Sequence, residues 1–174
     1  MMTQSQIFQD LLRSYLGEDA IISARLRDFL PQISTSEPYE NALEVLGEKM
    51  SLEELNELFE SVMVTAIHPG EKLLFVYDET ECFSEARLKT LENYPDGIQL
   101  GYPIKYWVRS CRLRTNAKQT GLAKAISDML TDVEGAKAGY RVIRVEAGEF
   151  EWTNDSIALL DRLVSNAENS NFLI

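Results

Sequence analysis

Apolar positions recur at three- and four-residue intervals through the first third of the chain. Ile7, Leu11 and Tyr15 run beside Phe8, Leu12 and Leu16, and these two rows predict a helix that Gly17 ends. Ile22, Leu26, Phe29 and Leu30 predict a second helix, closed by Pro31 because proline cannot continue the hydrogen-bond ladder. Ser36-Glu-Pro38 has the form of a cap with proline in the first turn, and Tyr39, Leu43 and Leu46 supply the apolar face of a third helix. Ser51-Leu-Glu-Glu54 is a capping box, in which serine and glutamate each satisfy the other's backbone donor. Leu52, Leu55, Phe59, Val62 and Met63 then line one side of a fourth. Residues 1 to 66 are thus expected to be helical throughout.

The pattern changes near residues 66 to 71. Leu73 to Tyr77 is a continuous apolar run between His-Pro-Gly and Asp-Glu-Thr, which predicts a buried strand. A short helix is expected from about Ser84 to Asn93, then a turn at Tyr94-Pro-Asp-Gly97. Ile98 to Tyr102 and Ile104 to Leu113 carry aromatic and branched residues and predict two strands broken by Pro103. Leu122, Ile126, Met129, Leu130 and Val133 predict a helix, Tyr140 to Val145 a strand, and Ile157, Leu160 and Val164 a last helix. The expected class is α+β in the order αααα-βαββαβα. An acidic helical region, 1–66, would pack on a mixed or antiparallel sheet region, 67–174, with helices on one face, as a single compact unit.

Composition adds limits to this outline. With 174 residues, 45% hydrophobic and 26% charged, the chain suits an ordinary globular fold. No stretch approaches the roughly 20 apolar residues of a membrane span and no basic-then-apolar leader opens the sequence, so a cytoplasmic location and no membrane partner are expected. Two cysteines, Cys82 and Cys111, fit isolated buried thiols better than a disulfide in a reducing compartment.

The net charge of −11 opposes binding to duplex DNA, whose phosphates repel an acidic surface. Residues 1 to 66 hold 4 basic and 12 acidic side chains, so most of the charge belongs to the helical half. Glu53, Glu54, Glu57 and Glu60 fall on the exposed side of the fourth helix. They are either a solvated face or the contact surface for a basic protein partner.

Candidate chemistry is sparse. His68 is the only histidine and lies in a His-Pro-Gly turn, which excludes multi-histidine zinc sites and favours a structural role. No serine or cysteine has the flanks of a nucleophile elbow. Asp78, Glu79 and Glu81 follow the first expected strand and Glu146, Glu149 and Glu151 the last; both groups read as solvated loops. Pro95-Asp96 begins a metal-dependent nuclease motif, but the position two before Lys105 is Pro103 where the motif needs an acid. Catalytic residues are therefore not assignable, and no metal is expected.

One segment departs from the acidic background. Lys105, Arg109, Arg112, Arg114, Lys118 and Lys124 lie within twenty residues that contain no acid, with Tyr106 and Trp107 among them. Either these cations pair with neighbouring acidic strands or they form an anion site for phosphate, coenzyme A, nucleotide or RNA. Lys118-Gln-Thr-Gly121-Leu-Ala123, expected between a strand and a helix, resembles the acyl-coenzyme A loop of GNAT-type N-acetyltransferases. That resemblance implies a pyrophosphate held by Lys118 to Ala123, with acetyl-CoA as cofactor, and the candidate anion-binding residues as a whole are Arg112, Arg114, Lys118, Gly121 and Ala123. Lys118 stands where the family has Arg or Gln, the loop has one glycine, and residues 141 to 174 contain no tyrosine for the usual general acid. The leading expectation is a binding protein without a cofactor, of the inhibitor, immunity-factor, chaperone or regulator type. The transferase is the alternative, and a nucleotide- or RNA-binding module the third.

Overall fold

A computed structural model describes residues 2–114, 121–169 and 172–173. Its helices are α1 (Gln4–Leu16), α2 (Glu40–Leu46), α3 (Leu52–Glu60), α4 (Glu85–Leu91), α5 (Ile104–Arg114), α6 (Leu122–Lys137) and α7 (Ile157–Asn169). The strands are β1 (Ile21–Arg25), β2 (Met63–His68), β3 (Leu73–Asp78), β4 (Gln99–Leu100), β5 (Arg141–Glu146) and β6 (Phe172–Leu173). The class is α+β, built on a mixed four-stranded sheet in the order β1-β2-β3-β5. β1, β2 and β3 pair antiparallel, and β3 and β5 run parallel. A parallel pair needs a long connection, and α4, α5 and α6 lie in it.

Alternation along the strands gives the sheet two covered faces. Leu74, Val76 and Val142 join one core with Leu43 of α2, Phe59 of α3, Leu91 of α4, Trp107 of α5 and Met129 of α6. Leu73, Phe75, Ile143 and Val145 join a second with Phe8 and Leu12 of α1 and Leu160 of α7. Helices therefore cover both faces of the sheet, where one covered face was expected. The same alternation sends Asp78, Arg144 and Glu146 towards α4, α5 and α6.

Capping boxes open two helices, the one expected at Ser51 and a second at Thr3, while Ser36 makes no side-chain cap bond. At α3 the Ser51 N–H donates to Glu54 Oε2 at 2.7 Å and the Glu54 N–H to Ser51 Oγ at 3.2 Å. Thr3 and Gln6 make the same reciprocal pair at α1. His68 closes β2, buried, and its Nδ1 accepts the Glu71 N–H at 3.0 Å, so its role in the β2–β3 turn is structural.

Four expectations need correction. The chain from Ile22 to Leu30 is not a helix: Ile21 and Ile22 pair with Ile67 and Ala66 in the sheet, and a single 3-10 turn, Leu26–Asp28, follows. A strand followed at once by a turn placed apolar residues at intervals that imitate a helix. Val62 and Met63 lie beyond the end of α3, and Met63 opens β2, so residues 63 to 66 are strand rather than helix.

Residues 104–114 are helix, not strand. Trp107, Ser110 and Cys111 bury one face, which Arg114 extends, and Lys105, Arg109 and Arg112 are exposed. Pro103 stands just before the first turn, where its missing N–H costs nothing. The strand expected over 98–102 shrinks to Gln99–Leu100, paired with β6. Beyond it the Gly101 N–H donates to Val142 O at 3.0 Å, and a Cβ on Gly101 would lie 2.7 Å from that oxygen. Residues 66 and 67, where the sequence pattern changes, lie inside β2, which pairs on both edges.

Candidate functional site

Two features carry nearly all the concentrated charge: a buried ionic cluster at the carboxyl ends of β3 and β5, and an acidic surface on α2 and α3. The cluster centres on Arg144, fully enclosed in β5. Its Nη1 donates to Asp78 Oδ1 at 2.7 Å, its Nε to Asp132 Oδ1 at 2.9 Å, and its Nη2 to the Asp128 carbonyl at 3.2 Å. Asp128 and Asp132 reach it together because they are four apart on α6 and so share one face. Arg87 of α4 enters from the other side, donating to Asp132 Oδ2 at 2.9 Å and to the Tyr94 hydroxyl at 2.5 Å. The Tyr94 and Tyr102 hydroxyls donate to the same Asp132 oxygen at 2.6 and 2.7 Å. Trp107 of α5 completes the set, its Nε1–H donating to Asp78 Oδ2 at 2.8 Å.

The electrostatics explain how these groups stay charged without water. Burial alone would raise the carboxyl of Asp132, but Arg144 and Arg87, with the two tyrosine hydroxyls, outweigh it and hold it below the usual carboxylate range. Asp128 is lowered in the same way, with burial overcome by Arg144, Lys124 and Arg87. Burial opposes the charge on Arg144, and Asp132, Asp78 and Asp128 more than restore it. Burial pushes the hydroxyls of Tyr94 and Tyr102 well above their ordinary value. At the rim, Arg114 bonds Glu146 and stacks over Phe83 at 4.6 Å, while Ser110 Oγ donates to Glu146 Oε2 at 3.1 Å.

Chemically, the cluster is buried, and among the described residues one of its carboxylate oxygens, Asp128 Oδ2, has no hydrogen-bond partner, with Arg87 Nε 4.0 Å away. Among the described residues, Asp78, Asp128, Asp132 and Arg144 line none of five surface depressions of about 310 to 610 Å³. One atom of each of Asp78, Cys82 and Asp128 lies within 4.8 Å of the others, a spacing a metal ion accepts. Most of these atoms are engaged within the cluster: Arg144 bonds Asp78 Oδ1 and Asp128 Oδ1, Lys124 bonds the same Asp128 oxygen, and burial pushes the Cys82 thiol up to about 12, keeping its proton on. Cys111 is likewise buried, and both cysteines are free thiols.

The basic segment is divided among several tasks. Arg112 bonds Glu92 at 2.6 Å and Arg114 bonds Glu146, so these two members of the expected anion site serve ion pairs. Lys118 lies outside the described residues. Gly121 caps α6, and a Cβ there would stand 2.8 Å from Ser84 Oγ, the cap of α4. Its small size is demanded by helix packing. Ala123 is exposed beside Glu85 and Lys89. The strand that the acyl-coenzyme A loop requires ahead of it is the helix α5. Trp107 is buried in the cluster, which removes it from any stacking surface.

No family model, curated protein or solved structure matches the chain. The reading of function therefore rests on the chain's own surface.

Between residues 37 and 60 there are eight glutamates and one lysine, a net −7. Seven of these glutamates are exposed and Glu48 is half-buried. Glu53, Glu54, Glu57 and Glu60 line the outer side of α3 as expected. Glu54 is engaged in the cap and Glu60 accepts from Arg27 Nε at 3.0 Å. A depression of about 610 Å³ over Leu43 and Met50 is edged by Glu40, Glu44 and Glu48, and another of about 560 Å³ over Leu52 and Asn56 by Glu53, Glu57 and Glu60.

The carboxylates at the strand ends were taken for solvated loops, yet Asp78 and Glu146 are directly paired across β3 and β5 and buried. Arg87, Asp128, Asp132 and Arg144 belong to no motif in the sequence. The one local signal for them is spacing: Asp128 and Asp132 are four apart on α6, and Arg144 alternates with Val142 in β5.

Proposed function

We propose that the protein is a non-enzymatic binding protein of the inhibitor, immunity-factor, chaperone or regulator type, which engages a basic protein partner through the α2–α3 face. The observation that carries the reading is the net −7 between residues 37 and 60, with its glutamates edging two depressions, one over Leu43 and Met50 and one over Leu52. Carboxylates spread over such a face raise the encounter rate with a cationic partner, and the apolar floors supply contact area that charge alone does not. The burial of the ionic cluster supports the same reading, because among the described residues its acids and bases line none of the five surface depressions.

Glu44, Glu53 and Glu57 are the residues to neutralise, since Glu54 holds the helix cap and Glu60 pairs with Arg27. Immobilised wild-type protein is expected to retain a basic partner from native lysate at low salt and release it at high salt, and E44Q/E53Q/E57Q to retain much less. Equal retention by the variant, or no salt-sensitive partner at all, would sink the proposal.

A further inference from the structure

The α5 helix carries a second surface of opposite sign. Lys105, Arg109 and Arg112 are spaced four and three residues apart, so they form one stripe about 10 Å long on the outside of the helix. Beside it, Leu91 of α4 and Ile104 and Val108 of α5 floor a groove of about 360 Å³ whose remaining lining is those three cations. In a chain with 28 acids and 17 bases, cations are expected to find partners. Among the described residues, however, neither Lys105 nor Arg109 makes an ion pair, and both are exposed. Arg112 is held at the end of the stripe by Glu92.

We propose that this α4–α5 groove is a docking site for an acidic peptide segment of a protein partner, one bulky apolar side chain entering between Leu91, Ile104 and Val108 and flanking carboxylates meeting Lys105 and Arg109. The chemistry selects this occupant. An aliphatic floor rewards a leucine- or phenylalanine-sized anchor, and an isolated cationic rim on an acidic molecule selects short anionic segments. A polynucleotide fits less well: Trp107 is buried, the floor offers no stacking ring, and the net −11 repels a long phosphate chain extending past the groove. This surface stands apart from the acidic α2–α3 face and does not depend on it.

The test is selection from a displayed library of random short peptides on the full chain, followed by fluorescence-polarisation titration of synthesised winners against wild type and K105E/R109E. Both positions are exposed, and an unchanged unfolding midpoint verifies that the variant is folded. The expected result is enrichment of sequences with two or more acids around one large apolar residue, binding at least about tenfold weaker to the variant and about tenfold weaker when the apolar residue is replaced by serine, each about 1.4 kcal/mol. No enrichment, winners without acids, indifference to the serine replacement, or tighter binding of oligouridylate than of any peptide would each overturn the proposal.

Discussion

Asp132 shows most plainly what single residues contribute. One of its oxygens accepts from Arg87, Tyr94 and Tyr102 and the other from Arg144, so four donors solvate a carboxylate that has no exposed surface. Its folded-state pKa is lowered, as is that of Asp128. The stabilisation this provides is complete above the ordinary aspartate value near 3.9 and is lost as pH falls through the folded value. Tyr94 and Tyr102 are raised, so their contribution is complete below about pH 10 and is lost as pH climbs through their folded values. The urea midpoint is thus expected to be level near neutrality and to fall at both extremes. Asp132→Asn should lower the midpoint at pH 7 and make the acid fall shallower; an acid limb as steep as that of wild type would contradict the role given to this carboxylate.

At the scale of elements, the cluster decides which helices are tied to which strands. Arg144 joins β5 to α6 directly and to the end of β3 through Asp78, while Arg87 brings in α4. Removing one partner of a buried pair leaves the others uncompensated, which typically costs about 3–5 kcal/mol. Arg144→Met is therefore expected to lose that much in urea unfolding, with faster amide exchange in α4 and α6 than in β1 and β2. A loss below about 1 kcal/mol would show that the ion pairs are dispensable.

Elements with their own terminal chemistry were legible in the sequence: α3 through Ser51 and Glu54, and β3 through its run between turn residues. Where local signals conflict, tertiary contacts decide. Ile22 to Leu30 has helical spacing but pairs with β2, and the aromatic segment after Pro103 becomes helix because Trp107 and Cys111 must share a buried face. The acidic α3 face could be located because exposed charge follows helix periodicity. The ionic cluster was hidden because its members lie up to 66 residues apart, and only the fold brings Asp78 to Arg144.

At the scale of the whole molecule, the sheet and its ionic cluster form a rigid support with charge sorted on the outside. The α2–α3 surface is acidic, the α5 stripe is basic, and α4 packs against both α2 and α5. At about 0.15 M salt the field decays over about 8 Å, so a partner responds to the local patch it approaches as well as to the net −11. The central claim is that the acidic face guides and holds a basic protein. Its most direct measurement is the association rate constant for the captured partner between about 50 and 500 mM salt, on wild type and on E44Q/E53Q/E57Q. The account predicts that the wild-type rate falls by about tenfold or more across that range and that the variant starts slower and depends less on salt. A rate that is the same for both proteins and unchanged by salt would contradict it.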